Sequence, residues 1–563
     1  MTVSDNTLCA WYFLPSRLGA AFLCGVLFFL ALPPCNWSWL VIFPLAGLLL
    51  CLRYLKWYEC LLAGFLFGLG WAFPGFWFLR EIHPAVPFGI APVLALWPAV
   101  WTVSAVFFLK YLLYPAKVRL DGEAAMEDFL PGAGRRILTA AVLAALWIVL
   151  EFSRSTMLPW NNLATAVWRY PRLLAPASVT GVTGIGFLIA NLSCALALAW
   201  VFRKKDKKQY PLWFGAVLPA VLLPSLVSMY RAQNPVPEKV EKYRIAAVQG
   251  DISQRRNADH DQAFEALKTY LDMTREAVKI KPAPDVIVWP ETAVPYAFRG
   301  NHPVSALYRS ELQKIILSSG IPVLFGTIEF RESPPFSGNY RITNSALYLT
   351  PGGIAARYDK IHRVPFGEYI PFRNILPGAL VRAIDMNRDL LAGTDFSPVT
   401  LKPGIRAGVA ICFESVFPYV ARESVRRGAN MLLVISNDAW YPTSSEPEQH
   451  LANAVARSVE NGRYSVRCGN NGGTLLISPD GVISQILTVP GTGAPELRRG
   501  RGIGVIEVPV PAEPAMTFYT RYGEWFTALC GCLVLAGFAV AGSGFLAFRR
   551  ALLGRMEENV NAQ

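Results

Sequence analysis

Two rhythms of apolar residues divide the 563-residue chain. From about residue 18 to 230, and again near the end, apolar residues run almost without interruption. Eight stretches (18–34, 37–52, 59–79, 88–114, 137–152, 173–202, 212–230 and 525–548) reach or approach the roughly 20 residues that cross a bilayer. They predict about eight membrane-spanning helices. Between the last two, residues 238–511 change character. Short runs rich in Val and Ile, bounded by Gly, Pro or Asn, predict buried strands over 243–248, 285–289, 323–328, 405–412 and 431–435. Apolar positions at helical spacing predict helices over 259–279, 303–318, 416–427 and 447–462. Hairpins are expected for 344–358 about Pro351-Gly352-Gly353, and for 474–486 about Pro479-Asp480-Gly481. The expected organisation is a seven-span membrane domain (1–232), an α/β domain with paired sheets (238–511), an eighth span (525–548) and a tail (549–563). Pro235, Pro237 and the prolines from Pro509 to Pro514 read as linkers to the membrane.

Composition agrees, with 53% apolar, 12% aromatic and 17% charged residues, greasier than a soluble protein of this size. A net charge of +13 raises the question of nucleic acid. The basic residues lie in short loops beside the apolar stretches, with no basic stripe and no interleaved aromatics, so no nucleic-acid partner is expected. Membrane orientation accounts for them better, because cytoplasmic loops are enriched in Lys and Arg. Arg17, the loops with Arg53 and Lys56, with Lys117, Arg119, Arg135 and Arg136, and with Arg203 to Lys208, and the tail with Arg549, Arg550 and Arg555 alternate with less basic loops. This predicts cytoplasmic termini and an α/β domain outside the cytoplasm. The 153–172 loop, with Arg154, Arg169 and Arg172, fits that pattern least. The stretch after Arg17 is read as a retained helix, since no small-residue cleavage site follows it. Ten scattered cysteines make no disulfide framework, and only Cys412 and Cys468 fall within 238–511.

Three ionisable residues directly follow predicted strands: Glu291 after DVIVWPE, Lys360 in YDKIHRVPFGEY, and Cys412 at the end of IRAGVAIC, with Glu414 two residues on. Singly, each has an ordinary explanation as a buried thiol or a solvated charge. Together they supply what a cysteine nucleophile needs, a base for its proton and a cation for the thiolate or the oxyanion. Glu291 is the candidate base and Lys360 the candidate cation. His362 stays open as an alternative base because it lies near Lys360; His260, His302 and His450 have no recognisable partner motif. No metal cluster or phosphate-binding loop is visible, so no metal or cofactor is expected.

WPET (289–292), YDKxxxVPFGEYIP (358–371) and CFES (412–415) resemble, in order, the Glu-Lys-Cys motifs of the nitrilase (carbon-nitrogen hydrolase) superfamily. The eight spans with the insert before the last further resemble the apolipoprotein N-acyltransferase family, over nearly the whole chain. The resemblance implies an α-β-β-α sandwich and a bacterial inner-membrane protein with a periplasmic catalytic domain. It implies that Cys412 takes an acyl chain from a phospholipid, typically phosphatidylethanolamine, and passes it from a thioester to the α-amino group of the N-terminal diacylglyceryl-cysteine of an apolipoprotein. A membrane site suits substrates whose acyl chains cost roughly 25 cal/mol per Å² to expose to water. By the same resemblance, Glu368 and Glu414 support the triad, and Asn437 and Trp440 in SNDAW line an acyl pocket. Phe413 stands where relatives often have Tyr, and the RRNADH after Gln254 departs from the family pattern. Residues 365–384, apolar and turn-rich, suit a mobile lid. Trp160 and Asn161 in PWNNL are either interfacial anchors or part of the substrate entrance, and Arg457, Glu460 and Arg463 are either surface ion pairs or part of the family match. Two rival readings stay open, a membrane-bound amidase or nitrilase-type hydrolase whose thioester ends in water, and a transporter or lipid-binding protein with an inert insert. Spans nearly free of charge speak against the last.

Overall fold

The computed structural model describes the chain apart from residues 1–4, 54, 122–125, 127, 207–209, 234–239, 254–259, 334–337, 339, 376, 379–380, 382–388, 442–443, 490–494, 498 and 562–563. Pro235, Pro237 and most of RRNADH therefore lie outside the described residues. The chain forms two compact units, one of Met1–Val167, Arg172–Gln233 and Glu524–Gln563, the other of Trp168–Pro171 and Asn234–Gly523.

In the first unit each of the eight apolar stretches coincides with helix: α1 (Asp5–Ala31), a 3-10 turn with α2 (Pro44–Cys51), α3 (Trp57–Gly75), α4 (Val86–Tyr111), α5 (Ala133–Ser155), α6 (Ala177–Phe202), α7 (Tyr210–Gln233) and a final helix, Trp525–Asn561. Among the described residues, five are long and apolar enough to cross a membrane, over Leu14–Ala31, Val86–Tyr111, Ala133–Ser155, Ala177–Phe202 and Trp525–Gly554. Ser38–Cys51 and Gly215–Tyr230 are shorter apolar helices. The 19 residues of α3 rise about 28 Å, short of a full core even before its polar opening at Glu59 is counted. The final helix continues to Asn561, so most of the expected tail is helical. Helices α3 and α4 touch closely enough that a Cβ on Gly68 would fall 2.4 Å from the Ala95 Cα, the small-residue contact common between membrane helices.

The expectation of spans nearly free of charge needs correction at the end of α5, where Glu151 and Arg154 are both buried. The loop after the helix satisfies them. Arg154 donates to the Trp160 carbonyl at 2.6 Å and to Asn162 Oδ1 at 2.5 Å, and Glu151 accepts from the Leu163 amide at 2.9 Å. Arg154 is thus spent inside its own loop.

The second unit follows the period-two logic of its strands. Its strands are β1 (Val240–Gln249), β2 (Val286–Val288), β3 (Val323–Glu332), β4 (Tyr340–Thr350), β5 (Gly353–Asp359), β6 (Val399–Lys402), β7 (Ile405–Ile411), β8 (Met431–Ser436), β9 (Ser465–Gly469), β10 (Leu475–Ile477), β11 (Ile483–Ser484) and β12 (Gly502–Pro511). One sheet runs β12-β1-β2-β3-β4-β5 and the other β11-β10-β9-β8-β7-β6. Along β1, Tyr243, Ile245 and Ala247 face the second sheet, packing with Ile405, Val409, Leu433 and Val466. The alternate residues Ala246 and Val248 face α8 (His260–Ala277) and α9 (Pro303–Ser319). Against the far face of the second sheet lie α10 (Pro418–Arg426), through Ala421 and Val425, and α11 (Glu446–Asn461). The result is the α-β-β-α sandwich.

At the end of β2 the Glu291 loop crosses β3 so closely that a Cβ on Gly326 would stand 2.6 Å from the Glu291 Cα and 2.7 Å from the Thr292 nitrogen. Only glycine fits there. Gly326→Ala is expected to push this loop outward and cost about 2 kcal/mol, read as a lowered thermal midpoint in detergent; an unchanged midpoint would show that the loop yields freely.

Candidate active site

Glu291, Lys360 and Cys412 leave the ends of β2, β5 and β7, and the packing of the two sheets brings their side chains together. Lys360 is 1% exposed. Its Nζ donates to Glu368 Oε1 at 3.0 Å and to Glu291 Oε1 at 3.3 Å. Asn344 Nδ2, from β4, donates to the same two oxygens at 2.9 and 2.8 Å. Two carboxylates are thereby shared between one ammonium and one amide. The second Glu368 oxygen accepts from the Val364 amide at 2.8 Å, which closes the VPFGE loop onto the site.

Burial opposes the charge on Lys360, but Glu368, Glu291 and the Cys412 sulfur more than offset it and hold its pKa above the ordinary lysine range. It stays an ammonium and cannot serve as base. Burial, and next Glu291, push the Cys412 thiol well above its usual value, with Lys360 pulling the other way. At rest the sulfur is protonated, so any attack by it needs a group nearby to take the proton. His362 is a poor receiver. Burial and then Lys360 push it down to about 4, its ring stacks on Phe417 at 3.4 Å, and its Nδ1 lies 2.7 Å from the Tyr419 hydroxyl. The Phe413 ring packs edge-on against Phe417 at 5.1 Å, so the residue after the cysteine joins an aromatic wall.

Cys412 has a φ of +53°, a left-handed backbone that costs a non-glycine residue about 1–2 kcal/mol. The surroundings hold it there. The Glu414 carboxylate, fully buried, accepts from the Ile411 amide at 2.8 Å, the Ile361 amide at 2.6 Å, the His362 amide at 3.0 Å and the Tyr358 hydroxyl at 3.1 Å. It ties the cysteine turn to the lysine loop through the backbone, and its charge also favours the Lys360 ammonium. Burial pushes its pKa up to about 7 against the pull of those amides. From α11, Arg457 donates to the Val416 carbonyl at 2.6 Å, and His450 Nε2 lies 3.0 Å from the Cys412 carbonyl.

A profile of carbon-nitrogen hydrolases matches residues 244–489, and one of the apolipoprotein N-acyltransferase N-terminal domain matches residues 24–196. An apolipoprotein N-acyltransferase of Geobacter metallireducens is 32% identical over 80% of this chain and 81% of its own. One of Pseudomonas aeruginosa is 30% identical over 94% and 96%. The chain belongs to the apolipoprotein N-acyltransferases. Among solved structures, a nitrilase-superfamily protein of Saccharomyces cerevisiae is 19% identical over 48% of this chain and 90% of its own, with a TM-score of 0.35. An amidase of Nesterenkonia is 20% identical over 52% and 97%, with a TM-score of 0.34.

Other candidate residues of this acyltransferase stand apart from the triad. Asn437 is buried and accepts from the Asn470 amide at 3.0 Å and the Ala439 amide at 3.3 Å, so its oxygen holds the turn after β8. Trp440 is exposed. Trp160 and Asn161 belong to the membrane unit, 3% and 1% exposed; Trp160 packs on Phe78 at 5.9 Å and Asn161 donates to the Gly75 carbonyl at 3.4 Å. Both are enclosed within that unit. The surface-pair reading of Arg457, Glu460 and Arg463 is corrected, since all three are buried. Arg463 holds the Ala515 carbonyl at 2.9 Å and the Pro514 carbonyl at 3.0 Å. In the 365–384 segment, Phe372 and Ile375 are 70% and 81% exposed, while 376, 379–380 and 382–384 lie outside the described residues.

Asn344, Asp438 and Arg467 have no role in the sequence reading, and His450 is passed over there for want of a partner motif. The available signal is a charged residue inside or just after an apolar strand, as with Arg467 in SVRCG and Asp438 two positions after MLLVIS. The Cys412 sulfur, an Asp438 oxygen and a His450 nitrogen lie within 4.8 Å of one another, close enough to ligate a metal. The donors are already committed, because Asp438 takes hydrogen bonds from Arg467 and from Ser436 at 2.6 Å.

Glu414→Gln would turn an amide NH2 toward backbone amides that only donate, and is expected to cost about 3 kcal/mol of stability, measured by unfolding in detergent; a wild-type midpoint would contradict the clamp. For His362 the sign follows from a folded pKa depressed to about 4. The unfolded chain takes up the proton first, so stability falls as pH drops from about 6.5 to 4. His362→Phe should flatten that slope by roughly 2 kcal/mol, allowing for partial exposure, and parallel slopes would refute it.

Proposed function

We propose that this acyltransferase works by a two-step exchange through a thioester on Cys412, with a membrane phospholipid, most readily phosphatidylethanolamine, as acyl donor. The α-amino group of an N-terminal diacylglyceryl-cysteine on an apolipoprotein is the acceptor. The observation that carries the reading is the buried sharing of Glu291 and Glu368 between Lys360 and Asn344, beside a cysteine held in a left-handed turn. Glu291 takes the thiol proton as sulfur attacks the ester carbonyl, and the Lys360 ammonium meets the negative charge that develops on the carbonyl oxygen. The same proton passes to the departing alkoxide, and the lysophospholipid leaves. In the second half the amine attacks the thioester, Glu291 accepts a proton from nitrogen, and the sulfur leaves to be reprotonated. Glu368 and Asn344 keep Lys360 and Glu291 aimed.

The apolar helices give both acylated substrates a lateral route that avoids exposing their chains to water. The alternation of basic loops supports a multi-pass protein of the bacterial inner membrane, with cytoplasmic termini and the α/β unit on the periplasmic side.

The test is mass spectrometry of the purified protein after incubation with acyl-labelled phosphatidylethanolamine. The expected result is a hydroxylamine-labile acyl adduct on Cys412, absent in Cys412→Ala and discharged by a diacylglyceryl peptide with a free amine. Rapid loss to free fatty acid without acceptor would favour the hydrolase, and no adduct would overturn the thioester.

A further inference from the structure

Close to Cys412 lies a second set of buried polar and charged residues that the exchange chemistry does not use. His450, from α11, is fully buried. Its Nε2 lies 3.0 Å from the Cys412 carbonyl and 2.7 Å from Ser415 Oγ. Its Nδ1 lies 3.2 Å from Arg467 Nη2, 3.2 Å from Asp438 Oδ1 and 3.4 Å from Glu446 Oε1. Arg467, wholly buried in β9, also donates to Asp438 Oδ2.

The roles follow from what each group can do. A carbonyl oxygen only accepts, so Nε2 carries the hydrogen that meets Cys412. A guanidinium only donates, so Nδ1 receives from Arg467. These two contacts agree on one neutral tautomer, held against the pull of the Asp438 and Glu446 carboxylates near Nδ1, which favour a hydrogen on that nitrogen. Burial and then Arg467 lower the His450 pKa, which keeps the ring neutral. Asp438 aims Arg467, Arg467 sets the tautomer of His450, and His450 grips the carbonyl of the nucleophile.

We propose that His450 is a positioning residue for the acyl transfer, fixing the peptide plane between Cys412 and Phe413 so that the sulfur meets the donor ester at the productive angle. The peptide is planar and trans, so fixing the Cys412 oxygen also fixes the Phe413 N–H on the opposite side. A left-handed residue of this kind relaxes unless something holds it, and the grip of His450 on its carbonyl opposes that relaxation. The proposal rests on the reading of Cys412 as the nucleophile.

Two polar variants separate positioning from mere packing. In His450→Gln the side-chain amide nitrogen reaches the place of Nε2 and can donate to the Cys412 carbonyl. In His450→Asn it reaches only the place of Nδ1. Single-turnover acylation by labelled phosphatidylethanolamine is measured per Cys412 thiol titrated with iodoacetamide in the folded protein, with KM and the thermal midpoint alongside. His450→Asn is expected to slow acylation about 100-fold with KM changed by less than about 2-fold, and His450→Gln to recover to within about 10-fold of wild type. Asp438→Asn, which loosens Arg467 and also removes a negative charge near the Cys412 sulfur, is compared with wild type on the plateau of the pH–rate profile; there it should shift the rate the same way and keep the assay decisive where a histidine variant is too unstable to purify. Equal rates in the Gln and Asn variants, or a wild-type rate per thiol in His450→Asn or Asp438→Asn, would overturn the positioning role. Failure of the wild type itself to form the adduct would overturn the nucleophile reading and this proposal together.

Discussion

A lysine ammonium taken out of water can remain charged only if negative charge comes with it, and Lys360 is placed between Glu291 and Glu368 on that condition. Burying each ion costs several kcal/mol, and two carboxylates facing one cation would repel one another without a further donor. Asn344 supplies it, with one amide nitrogen bridging both acids. Much of the sandwich serves this arrangement. Glu291, Asn344, Lys360 and Glu368 come from two strand-end loops, a strand interior and the VPFGE loop, and they meet only where the strands of one sheet end together.

Cys412 is held by a different set of forces. Its backbone is strained, and each side of the turn has its own clamp: Glu414 gathers the amides before the cysteine and after the lysine, His450 lies on the cysteine carbonyl, and Arg457 holds the turn's exit at Val416. All three clamps are buried ions or imidazoles acting on backbone, where a small displacement would be costly. Such a frame suits the part proposed for Cys412, which would attack and then leave from the same position.

The membrane unit shows the same economy of charge. Glu151 and Arg154 bind the loop that follows their own helix, so a buried pair that could be taken for a transport path is a structural fastening. That removes the main sign of a transporter.

Residue order by itself determined the two kinds of segment, because a bilayer and a two-sided sheet each impose a period on apolar residues that survives without neighbours. It also exposed Glu291, Lys360 and Cys412, since polar residues ending apolar strands break a local pattern. Asn344 left no such mark, lying inside a strand among Thr and Ser. His450 was set aside for want of a partner nearby in the chain. Its partners Asp438, Arg467 and the Cys412 carbonyl lie 12, 17 and 38 positions away. Trp160, Asn161 and Arg457 looked exposed because burial of a polar residue depends on what folds over it. Hydrogen bonds reach about 3 Å through space regardless of separation along the chain, so which polar groups meet is decided only when the sheets and helices pack.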